Sequence, residues 1–201
     1  HPIMQALAET IRAHDLPRHP FLRLIEANRR DQVQPEYETI EDLVAYCELS
    51  ANPVGELVLH VFDAATPTTV ELSDDVCTAL QLIEHWQDVG EDAAHGRVYL
   101  PAEDREQFGV THAELRATQT GRPLRRLLAF ESERAARLLA SGRLLVASLH
   151  GRARLAVAGY VGGGRAALAA LAACDYDVLT RVVTARSSSR AFETLRTLGG
   201  S

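Results

Sequence analysis

QLIEHWQDVGEDAAHGRVYLP, residues 81–101, is the stretch on which the fold and the chemistry of this chain turn. Glu84, Asp88 and Asp92 follow one another at four-residue steps. On a helix that step keeps side chains on one side, drifting slightly with each turn. Carboxylates stacked this way repel one another, and a free surface helix gains nothing from the stack. A divalent cation removes the repulsion, and hard oxygen ligands on a shared face suit Mg²⁺ bridged to a phosphate or diphosphate. Val76, Ala79, Leu80 and Ile83 set a buried stripe, with Gln81, Glu84 and Asp88 close to its edge. Gly90 inside the helix costs about 1 kcal/mol relative to alanine, which points to close approach by something bulky. Most acidic runs are solvated helix faces, so the residues alone leave that reading and metal binding both open.

Helical periodicity extends over most of the chain. Ile3, Leu7 and Ile11 are spaced for one helix, and Phe21, Leu22, Leu24 and Ile25 for another that starts near Pro20. Thr39 with Glu41 and Asp42 makes a cap and acidic first turn for a long helix to about Phe62, kinked at Pro53 and Gly55. Ser73-Asp74-Asp75 is expected to cap the acidic helix, and residues 96–106 to be irregular. Further helices are expected over 111–118, 123–141, 143–150 and 155–173, with Gly162-Gly163-Gly164 marking a break or a close approach. After Thr180 the apolar periodicity fades. Residues 1–180 read as one helical domain and 181–201 as a loosely held tail. The class is all-α.

Composition narrows the function. A hydrophobic content of 46% over 201 residues supports a globular core. The net charge of -6, with no basic stripe, argues against nucleic acid as a partner. Cys47, Cys77 and Cys174 are odd in number and widely spaced, as reduced core thiols of a cytoplasmic protein would be. The first residues lack a basic stretch followed by an apolar core, so no signal peptide is expected. No apolar run is read as approaching the ~20 residues a membrane helix needs, although a peripheral contact with the inner membrane stays open.

Two more groups of residues carry chemistry. In Tyr46-Cys47-Glu48-Leu49-Ser50-Ala51-Asn52-Pro53-Val54-Gly55, small residues beside a proline open a helix wall, and Tyr46 can direct its hydroxyl into a cavity. Ordinary helix packing is the plainer meaning. Arg97 and Tyr99 follow the acidic helix, where the arginine can pair with a phosphate or with the carboxylates themselves. A structural salt bridge accounts for it equally well. His60, His85 and His150 read as structural.

With these residues assembled, the chain resembles the squalene/phytoene synthase family, and most closely its hopanoid-associated HpnC (hydroxysqualene or squalene synthase) branch. The stretch 81–101 is similar to the second aspartate-rich motif and the segment that follows it; residues 46–55 are similar to the upstream tyrosine–cysteine–glycine signature. Gly163-Gly164-Arg165-Ala166 and Tyr176-Asp177-Val178-Leu179 also fit. The resemblance implies an isoprenoid synthase-type helical bundle around a central cavity. It implies Asp88, Asp92 and Glu84 as Mg²⁺ ligands, Glu84 standing where the family has asparagine. Gln81, Ala51 and Gly55 would bind substrate, with Tyr46, Tyr99 and Arg97 acting at the reacting centre. The implied substrate is presqualene or farnesyl diphosphate. The implied reaction is ionisation with water capture to hydroxysqualene, or condensation to squalene.

The family's first aspartate-rich motif is not found upstream of Tyr46; Asp15 and Asp31 stand unpaired. The bundle is therefore expected to be incomplete at its N-terminus, and the chain to lack turnover on its own. The competing expectation is a non-catalytic homologue that binds prenyl lipid or a full-length partner. A phytoene synthase acting on longer diphosphates fits residues 85–89 less well.

Overall fold

A threonine begins the helix that carries the acidic strip. In the computed structural model, which describes residues 1–200, Thr66 accepts a hydrogen bond from the Thr69 amide, and Pro67 fills the first helical position. Proline loses nothing there, because its absent N–H would have had no helical partner. The resulting helix, α5 (Pro67–Gln87), starts two turns earlier than Ser73-Asp74-Asp75 suggested; Ser73 lies buried inside it.

Before it come α1 (Pro2–Ala13), α2 (Arg18–Arg30), α3 (Ile40–Ser50) and α4 (Asn52–Val61). The expected long helix over 39–62 is thus two. Thr39 and Asp42 form a capping box at the start of α3, and the chain breaks at Ala51, just before Pro53. After α5 follow α6 (Val89–Ala94), α7 (Ala102–Phe108), α8 (His112–Leu115), α9 (Arg122–Leu139), α10 (Gly142–Ser148), α11 (Gly151–Ala173) and α12 (Ser187–Gly199). Helix α7 begins inside the stretch 96–106 read as irregular and runs past its end. No strand occurs among the described residues; Glu36 and Val98 make a single isolated bridge.

Helix α5 is the axis of the bundle, packed by α3, α4, α9, α10 and α11. Ala79, Leu82 and Trp86 on it are fully buried. Helix α11 runs unbroken through its glycine triplet, so the glycines serve close approach. A Cβ on Gly162 would lie 2.6 Å from the Thr194 backbone nitrogen, and one on Gly164 would lie 2.7 Å from Leu80. The partner at Gly162 is α12, where the sequence suggested a loose tail. Thr197 of α12 is buried and accepts a hydrogen bond from Arg165 at 2.8 Å. By length and mean hydropathy α11 does meet the requirement for a membrane-crossing helix, contrary to the reading of the sequence. In this structure it packs against α5, α9, α10 and α12.

Candidate active site

The acidic strip survives folding, with a bend in it. Helical hydrogen bonds link Asp88 N to Glu84 O at 3.0 Å and Asp92 N to Asp88 O at 2.9 Å. Asp88 itself has left helical geometry (φ -103°, ψ 11°), so α5 ends there and α6 begins. Glu84 is exposed, while Asp88 and Asp92 are half-buried. Among the described residues neither Glu84 nor Asp88 has an ion-pair partner, and Asp92 has only His85 at 3.9 Å. Burial holds the Asp88 carboxyl above the usual carboxylate range, and repulsion from Asp92, Glu84 and Glu91 adds to it. The strip is thus negative charge that the protein leaves unneutralised.

Gly90 does admit a close neighbour, but the neighbour is the chain itself. A Cβ there would lie 3.0 Å from Leu179. That contact forms the back of a groove of about 620 Å³ to which Asp88, Glu91, Arg116 and Arg181 all contribute. Asp92 instead faces a small gap with His85, Arg97 and Tyr99. No three His, Cys, Asp or Glu side chains among the described residues converge as a closed ligand set. Glu84, Asp88 and Asp92 therefore suit a cation that takes its remaining ligands from water or a bound phosphate, as Mg²⁺ commonly does.

Beside the strip lies an aromatic cluster. Tyr46 on α3 and Tyr99 after α6 are buried, with ring centroids 5.9 Å apart, and Tyr37 stacks on Tyr99 at 5.8 Å. The Tyr99 hydroxyl donates to Asp31 at 3.4 Å. Burial raises the pKa of Tyr46, and donation to Asp31 raises it further. Burial does the same for Tyr99 and Tyr37, so all three phenols stay protonated at neutral pH. Arg97 is exposed, with its backbone amide held by the Asp92 carbonyl at 2.9 Å. Sequence reasoning missed Asp31, Tyr37 and the centrality of His85. Asp31 sits at the end of α2, and nothing local ties it to a tyrosine 68 residues away.

The third component is apolar. Val54, Gly55, Val58, Val76, Cys77, Leu80 and Tyr160 are among the residues that line a pocket of about 170 Å³ between α4, α5, α10 and α11. Gly55 belongs to it, although its role differs from the expected passage past a kinked helix. A Cβ there would lie 2.4 Å from both Cys77 Sγ and Ser73 Oγ, so glycine lets α4 lie against α5. Ala51 is buried at the α3–α4 break and is absent from the pocket lining. Gln81 lies between pocket and strip, its amide 3.2 Å from the His85 ring.

An unneutralised acidic strip, protonated tyrosines and an apolar pocket, gathered around α5 in an all-α bundle, describe an isoprenoid synthase fold. The crystal structure of squalene synthase HpnC from Alicyclobacillus acidocaldarius superposes with a TM-score of 0.82 at 46% identity, covering 87% of this chain and 66% of that one. The squalene/phytoene synthase profile matches residues 1–189, and the chain belongs to that family. It is 34% identical over 153 residues to the hydroxysqualene synthase of Zymomonas mobilis, covering 74% of this chain and 51% of that protein. It is 31% identical over 157 residues to the phytoene synthase of Mycobacterium bovis, covering 75% and 51%. The chain spans about half the length of the curated relatives it matches.

Proposed function

We propose that this chain binds a prenyl diphosphate, with the diphosphate at the acidic strip and the hydrocarbon in the apolar pocket, for the synthesis of a squalene-type isoprenoid. One observation carries the reading. Ser73, Cys77, Leu80, Glu84 and Asp88 all lie on one side of α5, so the helix presents a pocket wall at one end and carboxylates at the other. Cys77 and Asp88 are eleven residues apart, or about 16 Å at 1.5 Å per residue. That geometry suits an amphiphile with a charged head and an apolar tail, part of which the pocket of about 170 Å³ takes up.

In this reading Glu84, Asp88 and Asp92 hold Mg²⁺, which supplies charge neutralisation for the leaving diphosphate. Arg97, exposed beside Asp92, pairs with the diphosphate oxygens. Tyr46 and Tyr99 keep their protons and offer ring faces toward developing positive charge, while their packing excludes bulk water. Presqualene diphosphate, losing its diphosphate and captured by one water to give hydroxysqualene, is the preferred reaction. Condensation of two farnesyl diphosphates to presqualene diphosphate, with loss of one diphosphate and a proton, is its neighbour, and squalene itself would need a hydride donor as co-reactant. The 46% identity to squalene synthase HpnC and the similarity to hydroxysqualene synthases favour both over phytoene synthesis.

The test is calorimetric binding of farnesyl and presqualene diphosphate to the purified chain, with and without Mg²⁺. Binding that needs Mg²⁺ and is lost in Asp88→Ala is expected. Binding indifferent to both would sink the proposal. Product analysis with presqualene, farnesyl and geranylgeranyl diphosphates then reports whether the chain turns over alone.

A further inference from the structure

We infer that His85 is a positioning residue that holds Asp92 and Tyr99 in register across the bend at Asp88. The inference deepens the proposed function and rests on it for the meaning of Asp92 as a ligand. His85 is 7% exposed, so both ring nitrogens must be accounted for. Gln81 Nε2 lies 3.2 Å from His85 Nε2. With the Gln81 amide nitrogen turned toward the ring, Nε2 is the acceptor and Nδ1 is the nitrogen left to carry a proton. Nδ1 faces Asp92 Oδ2 at 3.9 Å. The ring face is covered by Tyr99, with centroids 3.7 Å apart and planes within 12°. One imidazole thus meets Gln81, stacks on Tyr99 and lies 3.9 Å from Asp92, three residues that the sequence singles out.

The bend gives this arrangement a purpose. Because Asp88 has left helical geometry, α5 alone does not fix the direction in which α6 points Asp92. His85 spans that break from the α5 side and Tyr99 closes it from the far side. Gln81, one turn below, sets the tautomer that aims N–H, and not a lone pair, at the carboxylate. Outer partners that orient a metal ligand typically carry 10–100-fold in metal affinity.

Two measurements on the purified chain decide this. The first is the nitrogen-15 spectrum of the His85 ring, where the Nδ1–H tautomer is expected and Gln81→Ala should weaken that preference. An Nε2–H tautomer would overturn the inference, because Gln81 would then accept through its carbonyl. The second is titration with Mg²⁺ of the wild type and of His85→Phe, which keeps the stack on Tyr99 and loses both nitrogens. About 10-fold weaker binding is expected for the variant, and equal affinity overturns the role. Near-ultraviolet circular dichroism confirms that the aromatic cluster is intact in the variant. A wild type that binds no Mg²⁺ refutes the metal reading, while the tautomer still decides the role of His85.

Discussion

Carboxylates crowd together at two places in this molecule, and the protein treats them in opposite ways. At the α7–α9 contact, Glu131 and Asp104 are both buried, and Arg134 reaches each at 2.9 and 2.8 Å. The guanidinium also lies over the Phe130 ring at 4.8 Å. At the α5–α6 bend, Glu84, Asp88 and Glu91 stand together with no cation paired to any of them among the described residues. The first cluster is closed, with its charge balanced from within. The second is open to solvent and holds no cation of its own among the described residues. Carboxylate density alone therefore does not separate a structural cluster from a candidate ligand site; the presence or absence of an internal cation does.

The largest test of that contrast is Arg134→Ala. Asp104 would be left charged in the core without its cation, and removing one partner of a buried pair typically costs about 3–5 kcal/mol. Urea unfolding at neutral pH should show that loss, with partial recovery when Asp104→Asn is added. Recovery identifies stranded charge, and not lost packing, as the cause.

Next in size is a pH dependence. Burial pushes Glu131 up from 4.5 to about 8, despite Arg134 beside it. A folded-state pKa above the unfolded value means that the native state holds the proton longer. The stabilisation from this group is complete below pH 4.5 and is lost as pH rises through about 8. The unfolding free energy of the wild type minus that of Glu131→Gln should therefore decline across this window. A flat difference would mean that Glu131 is ionised throughout.

A smaller effect belongs to the open cluster. Mg²⁺ that binds only the folded chain stabilises it by about 2.7 kcal/mol at a hundredfold excess over Kd. A thermal melt should rise with Mg²⁺ in the wild type and in Glu131→Gln, but not in Asp88→Ala. A rise that survives Asp88→Ala would move the cation away from the strip.

These two clusters also differ in how far the sequence betrays them. The strip is local. Glu84, Asp88 and Asp92 sit at a helical step within nine residues, and the tyrosines of the site lie in motifs on either side. Glu131 and Arg134 share a turn of α9, but Asp104 comes from α7, and nothing local pairs them. Asp31 is hidden for the same reason. The tail was misread because the docking of α12 depends on Gly162 meeting the Thr194 backbone, while Phe192 and Leu195 face outward. The start of α5 was misread because Ser73-Asp74-Asp75 has cap chemistry, although Thr66-Pro67 supplies the cap. Helical class and motif were legible; contacts made only by folding were not.

The smallest effect separates the two clusters most cleanly, because its sign is what matters. Asp88→Asn removes repulsion with Glu84 and Asp92, and like charges at that spacing cost about 0.2–0.5 kcal/mol per pair. Without Mg²⁺ the variant should therefore be slightly more stable than the wild type, as read from urea midpoints at low salt. The same change at Asp104→Asn takes a charged partner from Arg134 and should destabilise. Added salt screens exposed charges, so it should shrink the gain at Asp88 while leaving the loss at the buried Asp104 largely intact. If Asp88→Asn instead destabilised the chain in the absence of Mg²⁺, the strip would have an internal partner, and the division between a closed cluster and an open one would fall.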